Sequence, residues 1–241
     1  MLLGLVSAKG SPGVSTAALA LTAAAGDSGL MVELDPSGGS VECWTGATGE
    51  PGLIRVANGL RRAVEPEMLL EHAVTAPPGV RSVLAPTAGG LAESTIATTR
   101  DRLVPVLAEL EATVVVDGGR WSPSQPTARR IAGCHLVGVV CAPTVDGIEA
   151  ARWLIDPLRS TAAGHVVLLL VGDRPYSPPE VAAVVGVPVI GVLVWDSRGV
   201  NGLLTTGAGR GWSRSAIARS ARSILDILPS TAGATAGVGR A

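Results

Sequence analysis

The sequence predicts an α/β fold with three layers, α/β/α, around a mostly parallel sheet. Short runs of Val, Leu and Ile alternate with longer Ala- and Leu-rich helical patterns along the chain, the order that repeated βα units produce. Hydrophobic residues make up 47% of the 241 residues while aromatics make up 2%, so the core is aliphatic, as in strands covered on both faces. The apolar runs ending in Asp35 and Asp117 stop in Gly- or Pro-containing turns, which puts carboxylates at the strand tips where ligand crevices open.

The elements follow in order. Residues 2–6 form a first strand, 7–14 a Gly-containing loop and 15–25 a helix. A turn at 26–29 leads into a strand over 30–34, broken by Asp35-Pro36. The segment 43–79 is less regular, with short helices near 52–60 and 66–74. Beyond it come a strand at 80–85, a long helix at 91–110, and the clearest strand, 113–116, ending in Asp117-Gly118-Gly119. Helices at 126–132, 145–162, 179–185 and 214–228 then alternate with strands at 135–142, 165–171 and 189–194. No linker or internal repeat divides the chain, so one domain is expected over 1–229. The Gly, Ala, Ser and Thr of 230–241 are expected to form a disordered tail.

Composition narrows the function. A formal net charge of -1 gives no global attraction to nucleic acid or anionic lipid. Cys43, Cys134 and Cys141 form no CxxC, and His72, His135 and His165 have no metal-ligand spacing, so neither a disulfide framework nor a metal cage is expected. The opening apolar run is too short for a signal peptide, and no run approaches the ~20 residues of a spanning helix, so a cytoplasmic location is expected. No GxGxxG follows the first strand, which argues against a Rossmann oxidoreductase. Of nineteen basic residues only Lys9 is lysine. A compact ammonium kept in a loop after the first strand, where every other cation is the bulkier arginine, points to contact with a phosphate.

That loop reads Ser7-Ala8-Lys9-Gly10-Ser11-Pro12-Gly13-Val14-Ser15-Thr16. Backbone N–H groups of such a turn, with a helix N-terminus behind them, form an anion cradle, and Ser15 is placed to bind a phosphate-bound Mg²⁺. The strict pattern GxxxxGK followed by Ser or Thr fails twice, at Ala8 and Val14; an ordinary strand-to-helix turn is the alternative.

The loop resembles the deviant phosphate loop of the MinD/ParA ATPases, KGGxGK followed by Ser or Thr. Lys9, Gly10, Gly13 and Ser15 match; Ser11 and Val14 do not. The resemblance extends in order along nearly the whole chain. Glu33-Leu34-Asp35-Pro36 is similar to the family's DxDP, Thr113 to Asp117 to its Walker B strand, and Gly191 to Asp196 to its GxxPxD, with Val194 for Pro. It implies a P-loop NTPase fold with ATP and Mg²⁺ as ligands. Lys9 would be the signature lysine reaching the phosphates across a homodimer, and Asp35 the residue orienting the attacking or a Mg²⁺-bound water. Gly10 to Thr16 would be the nucleotide cradle, Asp117 a Mg²⁺ holder with Ser15 and Asp35, and Asp173 the stand-in for an adenine-reading Asn.

Two functions are implied. One is an ATP-dependent dimeric switch in spatial organisation: partitioning, division-site placement, or pilus and secretion-machine positioning. Its hydrolysis would be weakened because Val14 sets an apolar group where a charged ligand would sit. The other is a pseudo-ATPase scaffold, like the atypical TadZ/CpaE branch, acting on an unidentified protein partner without nucleotide. The last helix sets Ile217, Ile224, Leu225 and Leu228 on one side and carries Arg214, Arg219 and Arg222. With Arg210 these arginines are a candidate non-specific DNA contact; the lack of an aromatic anchor argues against a membrane helix.

Overall fold

The computed structural model describes residues 1–10, 13–50, 52–61 and 66–234. Its strands are β1 Leu2–Ser7, β2 Gly29–Glu33, β3 Val74–Thr75, β4 Arg81–Val83, β5 Thr113–Arg120, β6 Leu136–Cys141, β7 His165–Val171 and β8 Val189–Leu193. The helices are α1 Val14–Ala24, α2 Val41–Thr45, α3 Gly52–Gly59, α4 Pro66–Glu71, α5 Gly89–Thr99, α6 Leu103–Glu109, α7 Pro126–Ala132, α8 Val145–Thr161, α9 Pro178–Val185, α10 Ser197–Thr206, α11 Arg210–Ser213 and α12 Ala216–Ala234. The strands form one eight-stranded sheet in the order β3-β4-β2-β5-β1-β6-β7-β8, parallel except for the β3–β4 pair. Among the described residues no helix is long and apolar enough to cross a membrane.

The three layers follow from strand periodicity. Successive side chains point to opposite faces, so an all-apolar strand feeds two cores. Val114 and Val116 of β5 join the core beneath α3 to α9, whereas Val115 joins the core beneath α1, α2 and α10 to α12. In β7, Val166, Leu168 and Leu170 likewise face one core, and Val167 and Leu169 the other. The small side chains of α1 let it lie flat on the sheet, with Ala17, Ala18 and Ala20 fully buried.

Several elements differ from the sequence reading. The helix expected over 91–110 is two helices. α5 stops at Thr99, where Arg100 has φ 48 and the carbonyls of Ile96 and Ala97 accept from the Arg130 guanidinium. α6 restarts with Pro105 in its first turn, where a missing N–H costs nothing. The final helix expected over 214–228 is α12, and the short α11 that precedes it was not anticipated. The N-terminus of α12 is satisfied by Ser215 Oγ, which accepts from Ala218 N, and by Asp196, which accepts from Ala216 N and Ile217 N. α12 runs on to Ala234, into the segment read as tail, and 235–241 lie outside the described residues. The β3–β4 hairpin and helices α2 and α10 were not anticipated. Ile217, Ile224 and Leu228 are buried in the core beneath α12, so the apolar stripe of this helix is spent on the sheet.

Candidate functional site

Strands β1, β2, β5, β7 and β8 bring their carboxyl ends to one edge of the sheet, and a cavity of about 550 Å³ opens there. That volume falls within the ~300–1,000 Å³ typical of small-molecule sites. Gly10, Gly13, Val14, Ser15 and Thr16 border it on one side, Asp35 and Gly119 sit at its base, and Leu193 to Asp196 form another wall. The expected loop residues thus converge on one cavity; Ser11 and Pro12 lie outside the described residues.

The floor is built by three strand ends. β5 lies between β1 and β2, with Asp117 paired in register with Leu5 and with Glu33. Asp117 is buried, and its carboxylate accepts a hydrogen bond from Gly119 N at 3.0 Å, with the Ser15 hydroxyl nearby. Burial pushes its pKa up to about 7; the Ser15 hydroxyl and the Gly119 hydrogen bond oppose the rise, and the nearby Glu33 and Asp35 carboxylates add to it. Gly119 has φ 60, and a Cβ there would fall 2.1 Å from Asp35 Oδ2, so only glycine lets the Asp35 carboxylate lie against the tip of β5. Asp35 also accepts from Ser37 N at 2.8 Å, which fixes the turn after β2.

Glu33, the departure from DxDP, has a structural task. Its Oε1 accepts from Ser40 N at 2.9 Å and Val41 N at 3.0 Å, and its Oε2 from Ala85 N at 3.0 Å. The longer side chain thus binds the start of α2 and the end of the β4 segment to β2. Burial raises its pKa against the lowering effect of those three N–H groups.

On the loop side, Gly13 enters α1 at φ 93, and no side chain caps that helix among the described residues. The first-turn N–H groups therefore remain available to an anion. Val14 is 6% exposed and packs into the core beneath α1, so the residue in the expected lysine position is an anchor for the helix with only its edge at the cavity.

Two expected site residues lie apart. Lys9 borders a separate cleft and pairs with Asp146 in the first turn of α8, Nζ to Oδ2 3.0 Å, both side chains largely exposed. The Thr144 hydroxyl and Lys9 hold the Asp146 carboxyl below its usual range. Asp173 is exposed and is not among the residues bordering the cavity. The chain turns at Gly172, φ 86, so Val171 is the last β7 residue to border it. Asp196 is held below its usual range by the N–H groups of Gly199, Ile217 and Ala216, a clamp between α10 and α12. Of the C-terminal arginines, Arg222 donates to Ser213 O at 2.6 Å and is a tie between α12 and α11; Arg210, Arg214 and Arg219 are exposed.

Among the cavity residues given no site role from the sequence are Trp44, Trp195 and Arg120. Trp195 sits inside the GxxPxD-like segment and Arg120 directly follows Asp117-Gly118-Gly119, so both lay beside motifs already singled out. Trp44 belongs to α2, which was not expected. Among the described residues no group of three or more His, Cys, Asp or Glu is arranged to hold a metal ion. Mg²⁺ does not require one: it keeps several waters and binds through one or two carboxylates plus phosphate oxygens, which the Ser15 hydroxyl and the Asp117 and Asp35 carboxylates fit.

No protein-family model and no curated protein sequence matches the chain. Solved structures do. A ParA family ATPase from Chlorobium tepidum TLS is 17% identical, with a TM-score of 0.75 over 92% of this chain and 98% of that one. The septum site-determining protein MinD from Pyrococcus horikoshii OT3, complexed with Mg-ADP, is 15% identical, with a TM-score of 0.71 over 98% of each chain. A single-residue variant of Cyanothece McdA in complex with ATP is 14% identical, with a TM-score of 0.66 over 95% of each. Eight strands, mostly parallel, with helices on both faces give this chain the P-loop fold of the ParA and MinD ATPases.

Proposed function

We propose that the chain is a MinD/ParA-type switch: it binds Mg-ATP in the cavity at the sheet edge, dimerises through that face, and turns ATP over slowly or not at all. The observation that carries this reading is the convergence of Ser15, Asp35 and Gly119 on one cavity at the N-terminus of α1, which no side chain caps among the described residues, with the buried Asp117 carboxylate next to it. A hydroxyl and two carboxylates next to free helix N–H groups suit a metal-bound polyphosphate, because the amides take the anion and the oxygens take the cation. The bound states of the structural neighbours, Mg-ADP in one and ATP in another, agree in kind. Slow turnover follows from Val14, since phosphoryl transfer depends on charge stabilisation that an aliphatic group does not supply. Spatial organisation of a protein or nucleic-acid cargo is the role this reading assigns. Arg210, Arg214 and Arg219 are its candidate DNA contacts.

Val14 also supports a second reading, a scaffold that binds partners without nucleotide. Sedimentation velocity with a non-hydrolysable ATP analogue and Mg²⁺ separates the two. The switch requires a shift from monomer to dimer that is lost on chelating Mg²⁺; an unchanged sedimentation profile at saturating analogue overturns it.

A further inference from the structure

Resting on the nucleotide reading above, we infer that Arg120 supplies the phosphate-binding cation that position 14 does not. Among the described residues bordering the cavity, three carry formal charge: Asp35, Asp196 and Arg120. Asp35 and Asp196 are carboxylates, and the buried Asp117 adds a third acidic group beneath the loop. Lys9 borders a different cleft and is paired with Asp146. Without Arg120 a triphosphate in this cavity would meet no cationic side chain among the described residues that border it.

The backbone explains how an arginine at the end of β5 comes to lie beside the phosphate loop. Leu5 pairs with Asp117, yet Ser7 pairs with Arg120, so β5 carries one residue more than β1 over this stretch. The irregularity falls at Gly118 and Gly119, where φ 60 at Gly119 bends the strand. It carries Arg120 level with Ser7, the residue that opens the loop, and Trp121 N donates to Ser7 O at 2.9 Å to hold that register. The Arg120 side chain is exposed, borders the cavity together with Gly10, Gly13, Ser15 and Thr16, and makes no ion pair among the described residues. A planar guanidinium reaches phosphate oxygens bidentately from a distance at which an aliphatic chain at position 14 offers nothing.

The test is the affinity of the full-length chain for Mg-ATP, Mg-ADP and AMP, in wild type, Arg120→Gln, Arg120→Ala and Arg120→Lys. Loss of a charge-assisted contact should weaken Mg-ATP binding by about ten- to a hundredfold in the Gln and Ala variants. AMP binding should change far less, and Lys should recover part of the loss. Thermal midpoints should stay at the wild-type value, since the side chain is exposed. Equal Mg-ATP affinity in wild type and both neutral variants overturns the role of Arg120 while leaving the nucleotide reading intact. A wild-type chain that binds none of the three nucleotides overturns both.

Discussion

The Ser15 hydroxyl lies near enough to the buried Asp117 carboxylate to lower its pKa, so the first turn of α1 meets the tip of β5 beside the cavity. This contact relates the loop after β1 to the strand that would carry the metal-holding acid. Ser15→Ala leaves Asp117 buried with only Gly119 N as a hydrogen-bond donor. The expected cost is about 1–3 kcal/mol of stability, read by urea denaturation, together with loss of Mg²⁺-dependent nucleotide binding. A variant as stable as wild type would mean the contact contributes nothing.

Asp117 should also make stability depend on pH. Its pKa rises from 3.8 to about 7 on folding. A carboxyl raised in this way binds its proton more tightly in the native state, so its contribution is full below pH 4 and is lost as pH rises through 7. The loss amounts to roughly 4 kcal/mol across that window. Glu33, also raised, adds in the same direction. Denaturant midpoints measured from pH 4 to 8 should fall less steeply for Asp117→Asn than for wild type; parallel curves would contradict the assignment. Added Mg²⁺ and nucleotide should flatten the wild-type curve, because the metal competes with the proton.

Glu33 is expected to be structural. Glu33→Asp would restore the DxDP pattern but shorten the carboxylate that receives Ser40 N, Val41 N and Ala85 N. Because buried N–H groups left unpaired cost about 1–3 kcal/mol each, Glu33→Asp should lower the melting temperature without improving turnover. Higher ATPase activity in that variant would show that Glu33 is a catalytic departure instead.

Lys9 and Asp146 form an exposed pair, so neither Lys9→Ala nor Asp146→Ala should change thermal stability measurably. Their effect belongs to assembly. Lys9→Ala is expected to keep monomeric nucleotide binding and to lose dimerisation, whereas Asp146→Ala frees the lysine and should not lose it. Size-exclusion chromatography with light scattering distinguishes these outcomes. Equal dimerisation by wild type and Lys9→Ala would remove Lys9 from the interface.

How far the sequence disclosed this protein differs by level. Strands such as 113–116 and 165–171 were legible because burial on both faces leaves continuous Val and Leu runs, and their order sufficed for the three layers. Helix ends were not. The stop after Thr99 depends on Arg130, a guanidinium brought to those carbonyls from α7, and the start of α12 depends on Asp196, the N-cap of α10. Both are long-range bonds with no local signal. Motif order led to Gly10, Gly13, Ser15, Asp35 and Asp117, whose segments the fold brings to one edge of the sheet. Arg120 and Trp195 were not singled out, since an arginine in an arginine-rich chain and one exposed tryptophan carry no signature until the fold sets them beside the loop. Asp173 does not border the cavity, and sequence order gives no hint that the chain turns at Gly172 before it.

The central claim is that the cavity binds Mg-ATP although Val14 replaces the loop lysine. Calorimetric titration of the purified chain with Mg-ATP, repeated with Ser15→Ala, tests it most directly. Saturable heat in wild type, abolished by chelating Mg²⁺ and strongly reduced in Ser15→Ala, is the expected result. No heat and no thermal stabilisation of wild type at millimolar Mg-ATP would contradict the account and leave the scaffold reading in its place.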